Sequence, residues 1–289
     1  MRYQAIDEFS GVYPVRFMCR CLRVSSSGYY AWRGRTVSTT AASNQVLLER
    51  IRDIHSESDG VFGCGRIRDE LLYDGVPCGL NRVARLMRLD GLRGIPQKRR
   101  WQMKPTSERP EGIENHLDRQ FSAEEPNRKW VSDITYIRTG EGWLYLCIVK
   151  DLCTAIVVGW SMSWRQDTQL VLRAVLMALW QKPSSSSVIL HSDRGTQFTS
   201  QEYQSFLSDN SITSSMSAVG SCADNAAAEG FFGMLKRERV NRRRYETRAE
   251  AIADVFDYIE RFYNPARRRK MNGPKSDEQS LTQLSTESG

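Results

Sequence analysis

The sequence predicts an α/β fold: a mixed five-stranded sheet with flanking helices, preceded by a small all-helical region. Three observations predict it. Apolar residues recur with helical spacing in the first 93 residues, residues 94–128 are polar and contain four prolines, and strand-like apolar runs alternate with helical segments after Lys129. We therefore expect four parts: a helical region over 1–93, a linker or arm over 94–128, a core over 129–265, and a basic and polar tail over 266–289.

The helical region begins with two short predicted helices joined by a Ser/Gly turn within residues 1–34, which resembles half of a helix-turn-helix unit. Helical periodicity predicts three further helices, over 45–57, 65–72 and 81–89. The last of these carries Arg82, Arg85 and Arg88 on the face opposite to its apolar residues. Such a helix fits a groove of DNA, and it equally fits the surface of a small helical bundle.

The core begins with three predicted strands in an antiparallel meander, over 129–137, 143–150 and 154–161. After them we expect a helix over 167–182, a strand over 188–192, a helix over 199–209 and a strand over 212–217. A further helix carries Glu229. Three strands, helix, strand, helix, strand and helix is the element order of a ribonuclease-H-like fold.

The last helix of the core has a recognisable start. Thr247 and Glu250 have the spacing of a capping box. Apolar residues at helical spacing are then expected to face the core, namely Ile252, Val255, Phe256, Ile259 and Phe262. We expect the helix to stop near Asn264, because Pro265 lacks the N–H group that a helix needs.

The composition excludes several classes of protein. The chain has 289 residues, of which 40% are hydrophobic and 26% charged, as in ordinary globular proteins. No apolar run approaches the ~20 residues that span a bilayer, and the first residues do not resemble a signal peptide. Seven scattered cysteines without a CxxC pair, and only three histidines, give little support to a zinc site. We expect a cytoplasmic protein with no membrane contact.

The positive charge is clustered. The net charge is +7, and four basic clusters stand out, at residues 98–100, 236–239, 242–244 and 267–270. Clusters of this kind bind polyanions through phosphate contacts, although any one of them can be plain solvated surface. Arg242 and Arg243 are the candidates for DNA contacts in the third cluster.

Three acidic residues have the placement of a metal site. Asp133 lies within the first predicted strand, Asp193 ends the strand over 188–192, and Glu229 follows it after 35 intervening residues at a predicted helix start. Carboxylates on strand ends and a facing helix can converge on two Mg²⁺ ions about 3.5–4 Å apart, with Mn²⁺ as a substitute, which is the apparatus for cutting a phosphodiester. Each acid alone has an ordinary surface interpretation, which their coincidence weakens.

Residues around these acids are candidates for DNA contacts. Asn225 lies four residues before Glu229 and Lys236 seven after it, so both are close to its helix face. His191 precedes Asp193 by two residues, and a structural histidine explains it equally well. The rival acids are Asp151, interpreted as a turn or supporting residue, together with Asp224 and Glu238.

Three segments resemble the signature blocks of insertion-sequence transposases, specifically the OrfB-type protein of the IS-three family, a relative of retroviral integrases in the DDE superfamily. The segments are Trp130–Tyr136, His191–Phe198 and Asp224–Lys236. Residues 1–34 and 45–92 also look like amino-terminal parts of that family. The polar tail after residue 270 departs from the family, which usually has an apolar-Ser-Pro block there, and this casts doubt on full activity more than on fold.

The resemblance implies a DNA transposase that cuts element ends to expose a 3′-hydroxyl and transfers that strand into target DNA. It implies catalytic and metal-ligating roles for Asp133, Asp193 and Glu229, two Mg²⁺ ions, and a homo-oligomer on double-stranded DNA. In that family an upstream reading frame often supplies the end-binding helices, which makes an OrfA-type protein a candidate partner. This chain would then be the catalytic half alone.

Two other functions use the same features. A DNA-binding regulator, or a transposase that has lost turnover, would need the helical region and the basic clusters but not the acids. A ribonuclease H would share the core chemistry, but neither the helical region nor the basic run after Glu229 serves it.

Overall fold

A computed structural model describes residues 2–34, 38–96, 123–182, 187–216 and 226–273. The chain divides into two compact units, Met1–Asp53 and Ile54–Gly289. The predicted domain boundaries at 93 and 128 stay a prediction, since residues 97–122 lie outside the described ranges. None of the described helices has the length and apolar character needed to cross a bilayer.

The first unit is built from short helices. It contains α1 (Arg2–Glu8), α2 (Val15–Cys21), α3 (Ser26–Arg33) and most of α4 (Thr39–Glu57). Residues 2–33 therefore form three helices, whereas two were predicted within residues 1–34. The extra helix, α1, buries Ile6 and packs Tyr3 against Tyr29 and Trp32, so tertiary packing stabilises a segment with little helical signal of its own.

Two helices at the start of the second unit follow the predicted apolar spacing. They are α5 (Cys64–Tyr73) and α6 (Leu80–Leu89). Helix α6 buries Val83, Leu86 and Met87, as the periodicity predicts. Its arginines lie on the other side of the helix, where Arg85 and Arg88 are exposed and Arg82 is half-buried.

The core sheet has five strands in the order β3-β2-β1-β4-β5. Their bounds are β1 (Lys129–Thr139), β2 (Gly142–Asp151), β3 (Val157–Ser163), β4 (Val188–Ser192) and β5 (Ile212–Met216). The first three strands pair antiparallel, whereas β4 pairs in parallel with both β1 and β5. The mixed sheet that the sequence predicts is thus confirmed.

Helices cover both faces of this sheet. One face packs on α7 (Thr168–Leu179), the short α8 (Thr196–Thr199) and α9 (Gln201–Asp209). The other packs on α10 (Ala226–Glu238), α11 (Arg248–Asp257) and residues of the turn that follows it. The whole is a ribonuclease-H-like arrangement, preceded by a helical region, as expected from the order of the elements.

The predicted end of the last helix is wrong. The capping box of Thr247 and Glu250 is present at the start of α11, but the chain continues through a π-helical turn (Tyr258–Tyr263) into α12 (Asn264–Asn272). Pro265 lies in the first turn of α12, where its missing N–H group costs least. The widened turn before it lets the helix accommodate the proline instead of ending there.

The inward face of α11 also differs from the prediction. Val255 and Ile259 are buried and Phe262 is partly buried, whereas Ile252 and Phe256 are 39% and 43% exposed. Phe256, which precedes the π-helical turn, makes an edge-to-face contact with Trp160, and Tyr258 and Tyr263, which begin and end that turn, fill core positions. Asn264 is buried and its amide exchanges two hydrogen bonds with the backbone of Val157, so it pairs with the start of strand β3.

Candidate active site

The pairing of β1 with β4 brings Asp133 and Asp193 to the same end of the sheet. The last paired residues of these two parallel strands are Val131 and His191. Asp133 and Asp193 each lie two residues further along their strands. Strand β4 has ended by this point, so β1 is no longer paired on that side. Adjacent parallel strands in register therefore place the two acids at equivalent positions on neighbouring strands.

Local hydrogen bonds hold both carboxylates. Asp133 is half-buried and its Oδ1 accepts a hydrogen bond of 2.8 Å from the backbone N–H of Ile134. Asp193 is exposed and its Oδ1 accepts one of 3.0 Å from the N–H of Gly195. A Cβ atom on Gly195 would lie 3.1 Å from that same oxygen, so the tight turn around Asp193 favours glycine.

Glu229 comes to this end of the sheet on α10. Ala228, Phe231, Phe232 and Leu235 form the buried side of that helix, which packs against β1 and β2. Glu229 lies in its first turn and is exposed. Lys150, in β2, reaches the same turn, where its Nζ donates a hydrogen bond of 3.0 Å to the carbonyl oxygen of Ala227.

The negative charges of Asp193 and Glu229 act on Asp133. The pKa of Asp133 is raised to about 7, first by burial and also by the negative charges of Asp193 and Glu229, against the opposing effects of the Ile134 N–H and of Lys236. Because charge interactions weaken with distance, these side chains share one region of the surface. A carboxylate repelled by two others is a site where bound positive charge would be favourable.

The acids do not already surround an ion position. Within the described ranges, no three His, Cys, Asp or Glu side chains are close enough to hold one metal ion. The donor chemistry suits Mg²⁺, since carboxylate oxygens are the hard ligands that it prefers.

Lys236 connects this region to an aromatic ring. Its Nζ lies 4.8 Å from the centre of the Tyr136 ring, a cation–π contact. Burial lowers the pKa of Lys236, and the charge of Asp133 opposes that shift. Lys236 therefore lies within electrostatic reach of Asp133 and is half-buried, which agrees with its predicted proximity to the acids.

His191 occupies a position that suits the structural alternative. It is fully buried in β4, and its Nδ1 lies 3.0 Å from the hydroxyl of Ser215 in β5. A ring enclosed in the sheet does not present a surface to DNA in this conformation. Asn225 and Asp224, predicted to lie beside Glu229, are outside the described residues.

The two described rival acids have structural roles. Asp151 is buried, and it accepts hydrogen bonds from the N–H groups of Asn127 and Thr154 and from the Thr154 hydroxyl, which fixes the turn after β2. Glu238 is also buried and accepts from Arg66, Arg237 and the Tyr258 hydroxyl. Neither carboxylate remains available for a metal ion.

Arg242 and Arg243 are partly committed to contacts within the protein. Arg242 donates to the carbonyl oxygen of Asp59 and pairs with its carboxylate. Arg243 pairs with Asp59 and with Asp254. Both side chains remain exposed, so these ion pairs reduce rather than remove the charge available to a polyanion.

The sequence did not single out Lys150, Tyr136 or Trp143. Lys150 directly follows the apolar run 144–149, and a lysine at the end of a buried strand could have been recognised as unusual. Tyr136 and Trp143 gave none, since aromatic residues are common in strands. Their exposure becomes visible only when the free edge of β1 is known.

Comparison with known proteins identifies the class. Residues 123–222 match the family described as "Integrase core domain", residues 229–282 match a second family of that description, and residues 42–100 match "HTH-like domain". The fold and these matches define a transposase or integrase with an HTH-like region. Among solved structures, the catalytic domain of Mos1 mariner transposase is similar at 12% identity, with a TM-score of 0.41 and coverage of 50% of this chain and 76% of that one.

The relatives are more specific. The chain is 40% identical over 284 residues to "Transposase InsF for insertion sequence IS3A" of Escherichia coli (strain K12), which covers 96% of this chain and 98% of the relative. It is 37% identical over 257 residues to "Insertion element IS600 uncharacterized 31 kDa protein" of Shigella sonnei, at 89% and 94% coverage. The chain belongs to the IS3 family of insertion-sequence transposases.

Proposed function

We propose that this transposase cuts the ends of its insertion element and joins the exposed 3′-hydroxyl to target DNA, with Asp133, Asp193 and Glu229 as its catalytic, metal-ligating residues. The single observation that carries this proposal is the parallel register of β1 and β4, which places Asp133 and Asp193 side by side at the end of the sheet where α10 brings Glu229 within electrostatic reach of Asp133. A carboxylate that faces the negative charges of two others is part of a site that divalent cations would complete.

Asp133, Asp193 and Glu229 would together hold two Mg²⁺ ions, with Asp133 as the ligand common to both, and Mn²⁺ could replace Mg²⁺. When bound, the ions neutralise charge on the phosphate and lower the pKa of the attacking water or hydroxyl. Magnesium accompanies the HTLV-2 integrase catalytic core in one solved structure. Asp133 must ionise to act as a ligand, and cation binding would offset the raised pKa described above.

The remaining candidate residues would contact DNA. Lys236 would hold a phosphate next to the acids, because its ammonium group lies within electrostatic reach of Asp133. Arg82, Arg85 and Arg88 would contact the DNA backbone from α6, with Asn225, Arg242 and Arg243 contributing nearer the acids. Such contacts predict binding that weakens as salt rises. We expect a homo-oligomer on paired ends, with an OrfA-type protein as a further partner.

A catalytically defective transposase or an element-encoded regulator is the competing function. It would retain DNA binding without the need for three coupled acids. Nothing in the arrangement of Asp133, Asp193 and Glu229 favours it.

The test is nicking of labelled element ends by the chain, alone and fused to its upstream frame, with Mg²⁺. Asp193→Asn should reduce nicking by about a thousandfold, the equivalent of several kcal/mol of transition-state stabilisation, and leave DNA binding intact. Asp209→Asn, at an exposed acid that ends α9, is the matched control and should leave nicking unchanged. Undiminished nicking by Asp193→Asn, or equal loss of binding and nicking, would contradict the assignment.

A further inference from the structure

Two large aromatic side chains are exposed at the end of the sheet near the acids. Tyr136 is 57% exposed and Trp143 is 46% exposed. Their ring centres are 5.1 Å apart and their planes are inclined at 80°, so the edge of one ring meets the face of the other. A single exposed aromatic residue needs no explanation, but a contacting pair leaves two apolar surfaces in water at one place.

Positive charges surround this pair. Lys236 lies over the Tyr136 ring, and Arg138, which is exposed, is the cross-strand partner of Trp143. Strand β3 ends at Ser163, the partner of Tyr145, and is followed by Trp164 with the Arg165 guanidinium 3.9 Å from its ring centre. Exposed rings among cations are the combination that binds single-stranded nucleic acid, since the rings stack on bases and the cations pair with phosphates.

The pair also lies at a useful distance from the acids. Tyr136 follows Asp133 by three residues on β1, so their Cα atoms are about 10 Å apart and their side chains leave opposite faces of the strand. Lys236 connects the two, because its Nζ lies over the Tyr136 ring and its charge acts on Asp133. The separation of about 10 Å corresponds to roughly three base steps of a DNA strand. A phosphate near Asp133 would therefore bring bases of the same DNA end to the aromatic pair.

We propose that Tyr136 and Trp143 form a stacking platform for an unpaired base of the DNA end, within about three nucleotides of the phosphate that is cut. The inference rests on the proposed function, which supplies the DNA end. The base must be unpaired, because a base inside a duplex already has both faces stacked on its neighbours. Stacking would offset the cost of opening the terminal pairs.

The experiment measures binding in EDTA, which separates binding from cleavage. Two probes carry the element's terminal sequence: one fully paired duplex, and one with unpaired 2-aminopurine placed one to about three nucleotides from the cut phosphate. The full chain should quench the 2-aminopurine fluorescence. Tyr136→Ala and Trp143→Ala should lose the quenching and bind the unpaired probe about tenfold more weakly, with less than about a twofold change on the paired probe.

Two further variants separate stacking from other effects. Tyr136→Phe keeps the ring and should retain the quenching. Trp180→Ala removes an indole that is 86% exposed at the end of α7. This variant should bind both probes, and quench the 2-aminopurine, as the unmodified protein does. Equal losses on both probes, or full quenching by Tyr136→Ala and Trp143→Ala, would overturn the platform. A lower oligomeric mass of Tyr136→Ala or Trp143→Ala, with unchanged DNA binding, would also overturn it, because the pair would then be a contact between protein subunits.

Nicking and base stacking are measured separately, so either can be lost while the other remains. A chain that quenches the probe but does not nick DNA in Mg²⁺ retains the platform and loses the proposed catalysis. A chain that nicks element ends without quenching retains the catalysis and loses the platform.

Discussion

The Nζ of Lys150 donates a hydrogen bond to the carbonyl oxygen of Ala227, and so connects strand β2 to the first turn of the helix that carries Glu229. Lys150 is only 7% exposed, and burial lowers its pKa to about 8. An amine buried at this energetic cost has a structural reason to be there. Positioning Glu229 relative to Asp133 is the role that the bond suggests.

Replacing Lys150 with Met should separate catalysis from DNA binding. The bond is lost while the side-chain volume is nearly kept, so we expect kcat for nicking to fall by about ten- to a hundredfold with unchanged DNA affinity. Lys182→Met is the matched control, because Lys182 donates an equivalent bond of 3.1 Å to the carbonyl of Asn210, near the end of α9. Equal effects of both variants on kcat would rule out a positioning role.

Asp133 should make stability depend on pH when no metal is present. Its pKa is raised from 3.8 to about 7, so between these values the folded protein holds a proton that the unfolded chain has released. Stability attributable to Asp133 is therefore present below about pH 4 and is lost as pH rises towards 7. Asp133→Asn removes this loss. At pH 8 in a chelator, the free energy of unfolding of the variant should exceed that of the original protein by on the order of 1 kcal/mol.

Thermal unfolding measures this difference directly. Adding Mg²⁺ at pH 8 should raise the Tm of the original protein and leave that of Asp133→Asn unchanged, because the variant lacks the shared ligand. A stability difference that stays constant from pH 4 to pH 8 would contradict the raised pKa.

Glu238 should be important for stability rather than for chemistry. Its buried carboxylate binds Arg66 of α5 at 2.9 Å, Arg237 at 3.0 Å and the hydroxyl of Tyr258 at 2.9 Å. Glu238→Gln leaves two arginines without their counter-charge and should destabilise the fold by about 2–4 kcal/mol in denaturant unfolding. Glu57→Gln, at an exposed acid of α4, should change stability by less than about 0.5 kcal/mol. Similar denaturant midpoints for Glu238→Gln and Glu57→Gln would contradict a special role of Glu238 in stability.

Gly159 should be intolerant of any side chain. Strand β3 approaches α7 so closely there that an added Cβ would meet the carbonyl oxygen of Ala174 and lie 2.7 Å from the amide nitrogen of Ala178. We expect Gly159→Ala to cost about 2–3 kcal/mol, because the helix must move away from the sheet. Gly233→Ala, in α10 with nothing near the added Cβ, should be neutral or stabilising by up to about 1 kcal/mol. A stable Gly159→Ala variant would mean that this contact is looser than described.

Local patterns predicted much of this fold. The strand over 188–192 has the bounds expected from its apolar run, and the capping box at Thr247 is present. These features depend on neighbouring residues only. The continuation of the helix past Pro265 could not be predicted in this way, because it depends on the π-helical turn and on the bonds between Asn264 and Val157.

The site was predictable to a similar extent. The spacing of Asp193 and Glu229 suggested a shared site, and the parallel register of β1 with β4 accounts for the proximity of Asp133 and Asp193. The role of Glu238 depends on Arg66, which is 172 positions away, and no local pattern carries that information. Burial of His191 likewise follows from its position between β1 and β5, which is a property of the sheet order.

The most direct measurement is the anomalous diffraction of Mn²⁺ in crystals of the protein bound to an element end. We predict a Mn²⁺ peak within about 2.5 Å of carboxylate oxygens from both Asp133 and Asp193, with a second peak beside Glu229. Both peaks should be absent from crystals of Asp133→Asn. Manganese bound elsewhere, or a DNA complex in which these three acids remain apart without an ion between them, would contradict a shared metal site.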